Sequence, residues 1–133
     1  MPLTYVDHYT RSAVQSDRSV LWMFGDNLAE RGKGRGAGQA EACRDEPNAI
    51  GIPTKRAPSM REDAFLTDAD LSRVMAVAIP RFQRAAAHLN AGGTVVLPSG
   101  GIGTGRAQLA RRAPAVAAWL DSCWAELKRE PGA

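Results

Sequence analysis

The chain has 133 residues, 44% of them hydrophobic and 23% charged, with a formal net charge of +3. That length suits one domain with a core of its own, and the composition excludes both disorder and a disulfide-stapled miniature fold. No apolar run is long enough to span a bilayer, and the first twenty residues lack the apolar segment of a secretory leader, so a cytoplasmic protein without membrane association is expected.

Leu3–Val6 reads as a short strand or a tethered end, and 8–16 as a short helix or loop. Ser19 to Gly25 is an apolar run of strand length followed by turn signals, the pattern of a buried strand. The next segment carries glycines at 32, 34, 36 and 38, which requires sharp turns or close approach of the backbone. Residues 37–44 suggest a short helix, 48–53 a second strand closed by proline, and 54–67 a polar surface loop. Leu71, Val74, Met75, Ala78, Phe82, Ala85, Ala86 and Leu89 recur at helical spacing, which predicts a helix over 68–90 capped by Thr67 or Asp68. Pro80 predicts a kink there, or two consecutive helices. After a glycine stop, Thr94 to Pro98 reads as a β-branched strand. A final helix carries Val116, Trp119, Leu120, Cys123, Trp124 and Leu127, with Pro114 in its first turn. Residues 129–133 are expected to fray. Strands alternating with helices indicate an α/β fold, and no linker or repeat divides residues 1–133.

Two segments stand out chemically. In the first, Gly25, Asp26 and Asn27 end a strand, and Gly36, Ala37, Gly38 and Gln39 lead into a helix. A helix start after glycines offers backbone N–H groups and a positive dipole end to phosphate. Asp26 suits a ribose hydroxyl or a base amino group, and Asn27 both donates and accepts. The competing role for this pair is a turn or helix cap. The second segment is Ser99, Gly100, Gly101, Ile102, Gly103, Thr104 and Gly105, again between a strand and a helix. Its glycine amides suit an anion, and Ser99 and Thr104 add hydroxyls.

Between the two, Thr54 and Lys55 close another strand. Lys55 suits a phosphate or a leaving group, or is simply a solvated lysine. Parallel neighbouring strands would bring these segments to one edge of the sheet, where α/β proteins bind ligands. Trp22, Trp119 and Trp124 sit in apolar patterns and are assigned to the core. Cys43 and Cys123, His8 and His88 form no disulfide framework, zinc pattern or metal pair, so no metal and no cofactor is expected.

FGDN, GAGQA, AIGIPTK and LPSGGIGTGRA occur in the order of the motifs of macro and macro-like domains, and the similarity covers most of residues 19–127. The chain resembles above all the branch that reverses ADP-ribosylation of acidic side chains, and also small phage-associated macro-like proteins. The resemblance implies one three-layer, Rossmann-like domain with a mixed, mostly parallel sheet, binding ADP-ribose. Gly36, Ala37 and Gly38 match its first phosphate loop, Lys55 its sugar-attacking lysine, and Ile102, Gly103 and Gly105 its second loop. Ala107 stands where the hydrolytic branch has an aspartate. LPSGGIGTGRAQ also resembles the PGG-x-GT motif of nucleotide phosphoribohydrolases of the lysine-decarboxylase-like type. Gln108 stands near that family's glutamate position, with no acid until Asp121.

The resemblance leads to a small-molecule nucleotide partner of the ADP-ribose type, held by a reader or sequestering protein. The alternative is a hydrolase of ADP-ribosyl or N-glycosidic bonds, with Lys55 as nucleophile and Asp26 as general acid/base. A third reading, a nucleic-acid-binding module, rests on the basic stretch from Arg31 to Arg61 and is weakened by the modest net charge.

Overall fold

The computed structural model describes residues 2–32, 38–102 and 108–133. Four strands, β1 (Leu3–Val6), β2 (Val20–Asn27), β3 (Ala49–Lys55) and β4 (Thr94–Pro98), form one sheet in the order β1-β4-β2-β3. All three strand pairs are parallel. The domain is therefore α/β and Rossmann-like. The antiparallel element implied for the sheet is reduced, among the described residues, to a single bridge between Lys55 and Phe65.

Alternation along the strands creates two cores. From β2, Leu21 and Met23 face one side and Trp22 and Phe24 the other; from β4, Val95 and Leu97 oppose Val96 in the same way. The larger core is covered by α3 (Leu71–Asn90) and α5 (Pro114–Lys128), through Val74, Ala78, Ala85, Leu89, Val116, Leu120 and Leu127. Between them stands the short α4 (Leu109–Arg112). The smaller core is covered by α1 (Arg11–Ser16) and α2 (Ala40–Cys43), through Val14, Ala40, Ala42 and Cys43. Helices on both faces make three layers. Full burial of one such aliphatic side chain contributes about 1.5–3 kcal/mol.

The tryptophans lie where apolar periodicity placed them. Trp22 meets Tyr9 edge-on at 4.9 Å, and Phe82 of α3 meets Trp119 and Trp124 of α5 at 6.4 and 4.7 Å.

Three local expectations are refined. Of the kink or the two consecutive helices expected at Pro80, the second is excluded, because α3 is one continuous helix. Pro80 and Ala76, whose carbonyl loses its helical donor there, are both exposed, so water can satisfy that oxygen. The 54–67 segment is not wholly a surface loop: Ala64, Phe65 and Leu66 are buried beside a 3-10 turn at Glu62–Ala64. The carboxyl end is docked rather than frayed. Asn90 donates to Glu130 at 2.9 Å and accepts from the Gly132 amide at 3.0 Å. A Cβ on Gly132 would lie 2.1 Å from the Leu89 carbonyl oxygen, so this docking requires glycine.

The smaller core is framed by one carboxylate. Glu46 accepts from Arg18 at 2.8 Å, from Gln15 at 2.8 Å and from Arg11 at 2.7 Å. These hydrogen bonds, that of Arg18 foremost, hold its carboxyl at about 2, below the ordinary 4.5. A depressed folded-state value stabilises the fold fully above the unfolded value, and the contribution is lost as pH falls toward the folded one. Urea titrations from about pH 5 down to about pH 2 should therefore show falling stability, and Glu46→Gln should flatten that fall.

Candidate functional site

Because every strand is parallel, 7–11, 25–32, 53–56 and 98–102 all leave the sheet at its carboxyl edge. Strand β4 lies between β1 and β2. The chain after β1 and β2 enters α1 and α2 on one face, whereas the chain after β4 enters α4 and α5 on the other. The loop after β4 therefore parts from both neighbours, the condition that opens a ligand crevice in doubly wound sheets.

The register shows this opening. Pairing of β2 with β4 stops at Trp22↔Val96, while β2 stays paired to β3 as far as Asn27 and β4 to β1 as far as Pro98. Tyr9, just after β1, bridges the point of divergence. Its hydroxyl donates to the Met23 carbonyl at 2.7 Å and lies 3.3 Å from the Val96 carbonyl. Burial pushes its phenol well above the ordinary range, so it stays a neutral donor.

Above this point lies a cleft of about 630 Å³, within the range of small-molecule pockets. Its walls come from Asp7, His8, Tyr9, Thr10 and Arg11 after β1, from Gly38, Gln39, Glu41 and Ala42 at α2, and from Pro98 and Gly100 after β4. Gly38 has φ +63°, a left-handed turn that favours glycine, immediately before α2. Arg11 is tied back to the α2 end, donating to the Glu41 carbonyl at 2.8 Å and the Arg44 carbonyl at 2.9 Å. Cys43, the last residue of α2, is buried, and burial pushes its thiol up to about 12, which makes it inert at neutral pH.

The expected site residues divide. Gly38, Gln39 and Gly100 line the cleft. Gly25, Gly101 and Ile102 adjoin it: the Gly25 amide donates to Gln39 Oε1 at 2.8 Å, Gln39 Nε2 donates to the Gly101 carbonyl at 3.3 Å, and Ile102 lies against Gly25. Ser99 donates its amide to Val6 at 3.0 Å and Gly101 to Pro98 at 3.0 Å, so these two amides serve the β1–β4 ladder and a turn. Gly36, Ala37, Gly103, Thr104 and Gly105 lie outside the described residues.

The polar group at the β2 and β3 ends is engaged inward. Asp26 is buried and receives Arg44 on both oxygens, at 2.9 and 2.5 Å, and the Asn27 amide at 2.7 Å. Asn27 closes the 27–31 turn by donating to the Arg31 carbonyl at 2.8 Å. Thr54 is buried and donates to the Asp26 carbonyl at 3.2 Å, across a bulge in the β2–β3 ladder. Lys55 Nζ donates to the Ser59 carbonyl and sits 4.7 Å from the Phe65 ring centroid. None of these four is among the described residues of the cleft wall. Asn27 thus closes a turn, while Asp26 forms a buried ion pair with Arg44.

Arg112 lies 3.8 Å from the same Phe65 centroid and pairs with Glu62 at 2.6 Å. This ties the end of α4, downstream of the second glycine-rich segment, to the chain after β3. Gln108 precedes α4 with φ +50°, and its side-chain oxygen accepts from Arg112 at 2.8 Å.

Sequence reasoning missed the β1 side of the cleft, Asp7 to Arg11. The available signal was positional: a parallel strand at 3–6 puts the next residues at the ligand-binding edge. Among the described residues no group of His, Cys, Asp and Glu is arranged to hold a metal ion, and no helix is long and apolar enough to cross a membrane.

A family model described as a family of unknown function matches residues 4–123, which take in β2, β3 and β4, β1 from Thr4 onward and most of α5. No curated protein and no solved structure matches the chain.

Proposed function

The chain belongs to DUF7831, a family of unknown function, and we propose that it binds a nucleoside phosphate of the ADP-ribose type in the cleft at the carboxyl edge of its sheet. One observation carries this reading. The two glycine-rich segments, far apart in sequence, both enter the wall of one 630 Å³ cleft, through Gly38 and Gln39 on one side and Gly100 on the other. That volume suits a small molecule. The resemblance to macro-like domains supplies the ligand class, and the protein acts as a reader or a sequestering protein.

Binding is preferred over hydrolysis because the two residues considered for chemistry are engaged elsewhere. Asp26 is held by Arg44, and Lys55 by Ser59 and the Phe65 ring. A general acid/base must reach the reacting proton, and a nucleophile must reach its carbon.

Isothermal titration with ADP-ribose, AMP and NAD, followed by product analysis of the same samples, tests the reading. ADP-ribose is expected to bind and be recovered intact, and Lys55→Ala should keep its affinity within about threefold, less than 0.7 kcal/mol. Released product that disappears in Lys55→Ala would replace the binding reading with the hydrolase. No heat with any nucleotide would remove the ligand class.

A further inference from the structure

The two walls of the cleft are joined by one side chain. Gln39 Oε1 accepts from the Gly25 amide at the end of β2, and its Nε2 donates to the Gly101 carbonyl after β4. Strands β2 and β4 have already separated at Trp22↔Val96, so among the described residues no ladder hydrogen bond holds these ends at a fixed spacing. Tyr9 bridges the floor of the gap, and Gln39 bridges its rim. The orientation of the carboxamide is fixed by its partners: an N–H faces the oxygen and a carbonyl faces the nitrogen, and a flipped amide would satisfy neither. Packing supports the contact, because a Cβ on Gly25 would lie 3.5 Å from Ile102 Cγ2 and 3.6 Å from Gln39 Oε1. Gln39 also lines the cleft.

The geometry points to Gln39 as a latch that sets the spacing between the two glycine-rich segments, and so as a positioning residue for the nucleotide. This inference rests on the reading of the cleft as a nucleotide site. A side chain that both accepts from one wall and donates to the other is needed, and glutamine is the neutral group that does both at this reach. A glutamate in its place performs both tasks only while protonated. Once ionised it can no longer donate, and its charge faces the Gly101 carbonyl oxygen. Leucine performs neither task.

The test combines Gln39→Leu and Gln39→Glu with two readouts. The first is hydrogen exchange of the Gly25 amide without nucleotide, which reports opening of the latch directly. The second is ADP-ribose affinity from pH 5 to pH 8, relative to the original chain at each pH. The latch predicts Gly25 protection reduced about tenfold in Gln39→Leu, with ADP-ribose binding weakened by a similar factor, about 1.4 kcal/mol. In Gln39→Glu the side chain is ionised across this range, since glutamate ordinarily titrates at about 4.3. It still accepts from Gly25 but cannot donate to Gly101, so Gly25 protection should hold while ADP-ribose binding is weakened at every pH. Unchanged Gly25 protection in Gln39→Leu would overturn the latch, whatever happens to affinity. Lost protection with unchanged affinity would overturn the positioning role and leave a structural bond. If the original chain binds no ADP-ribose, the nucleotide reading and the positioning role fail together, and exchange at Gly25 still decides the latch.

Discussion

Replacing Arg44 with methionine is expected to lower the unfolding free energy by about 3–5 kcal/mol, the largest effect of any single exchange at the carboxyl edge. The Asp26 side chain is only 4% exposed, and that of Arg44 8%. Removing the guanidinium leaves a buried carboxylate with the Asn27 amide as its one remaining described donor. It also removes the donors to the Arg31 and Gly32 carbonyls and the cation 5.8 Å from the Phe24 ring. Since domains of this size are stable by about 5–15 kcal/mol, such a loss is easily read from urea denaturation. Adding Asp26→Asn to Arg44→Met should recover part of it, because the buried charge is then gone. A cost below about 1 kcal/mol for Arg44→Met would mean that the carboxylate does not depend on its partner, and would return Asp26 to consideration as a chemical group.

Gly100→Leu is expected to do the reverse, weakening ligand binding while sparing the fold. Gly100 is exposed and lines the cleft, and a Cβ built there meets nothing within 4 Å. The new side chain therefore enters open space, and stability should change by no more than about 0.5 kcal/mol. The same side chain occupies the volume assigned to the nucleotide. A clash of about 2–3 kcal/mol corresponds to a thirty- to hundredfold loss of ADP-ribose affinity. Calorimetric titration beside a thermal unfolding trace separates the two effects. Unaltered affinity would place the ligand away from this wall.

Much of the fold was legible because it is written in periodicity. The helical spacing from Leu71 to Leu89 and the apolar runs around Leu21–Phe24 and Val95–Leu97 placed α3, β2 and β4 directly. Alternating elements then implied the layered sheet. Other features depend on tertiary partners that no local pattern announces. Pro80 is tolerated because its turn of α3 faces solvent, and the 129–133 segment is ordered because Asn90 captures it. The edge strand β1 completes the sheet beside β4, and its four residues, Leu3–Val6, are too short to specify a strand by themselves.

The candidate site was legible in part for the same reason. Glycine spacing marked Gly38 and Gly100 because glycine is conspicuous where a backbone turns sharply. Asp26 and Lys55 looked equally conspicuous, but polar residues at strand ends serve the protein's own turns as readily as a ligand. Their partners, Arg44 eighteen residues from Asp26 and the Ser59 carbonyl for Lys55, are set by the fold and not by the local pattern. In the sequence Gln39 simply follows the glycines, while its link to Gly101, 62 residues away, emerges only when β2 and β4 lie side by side.

The most direct test of nucleotide binding at this edge is thermal unfolding of the original chain and of Gly100→Leu, each with and without ADP-ribose. Ligand at about one hundred times its dissociation constant adds about 2.7 kcal/mol, a rise of several degrees for a domain of this size. The binding account predicts that rise in the original chain and no more than about a third of it in Gly100→Leu, where the same ligand stands at only about one to three times its dissociation constant. An unchanged melting temperature in the original chain, or an equal rise in both, would contradict it.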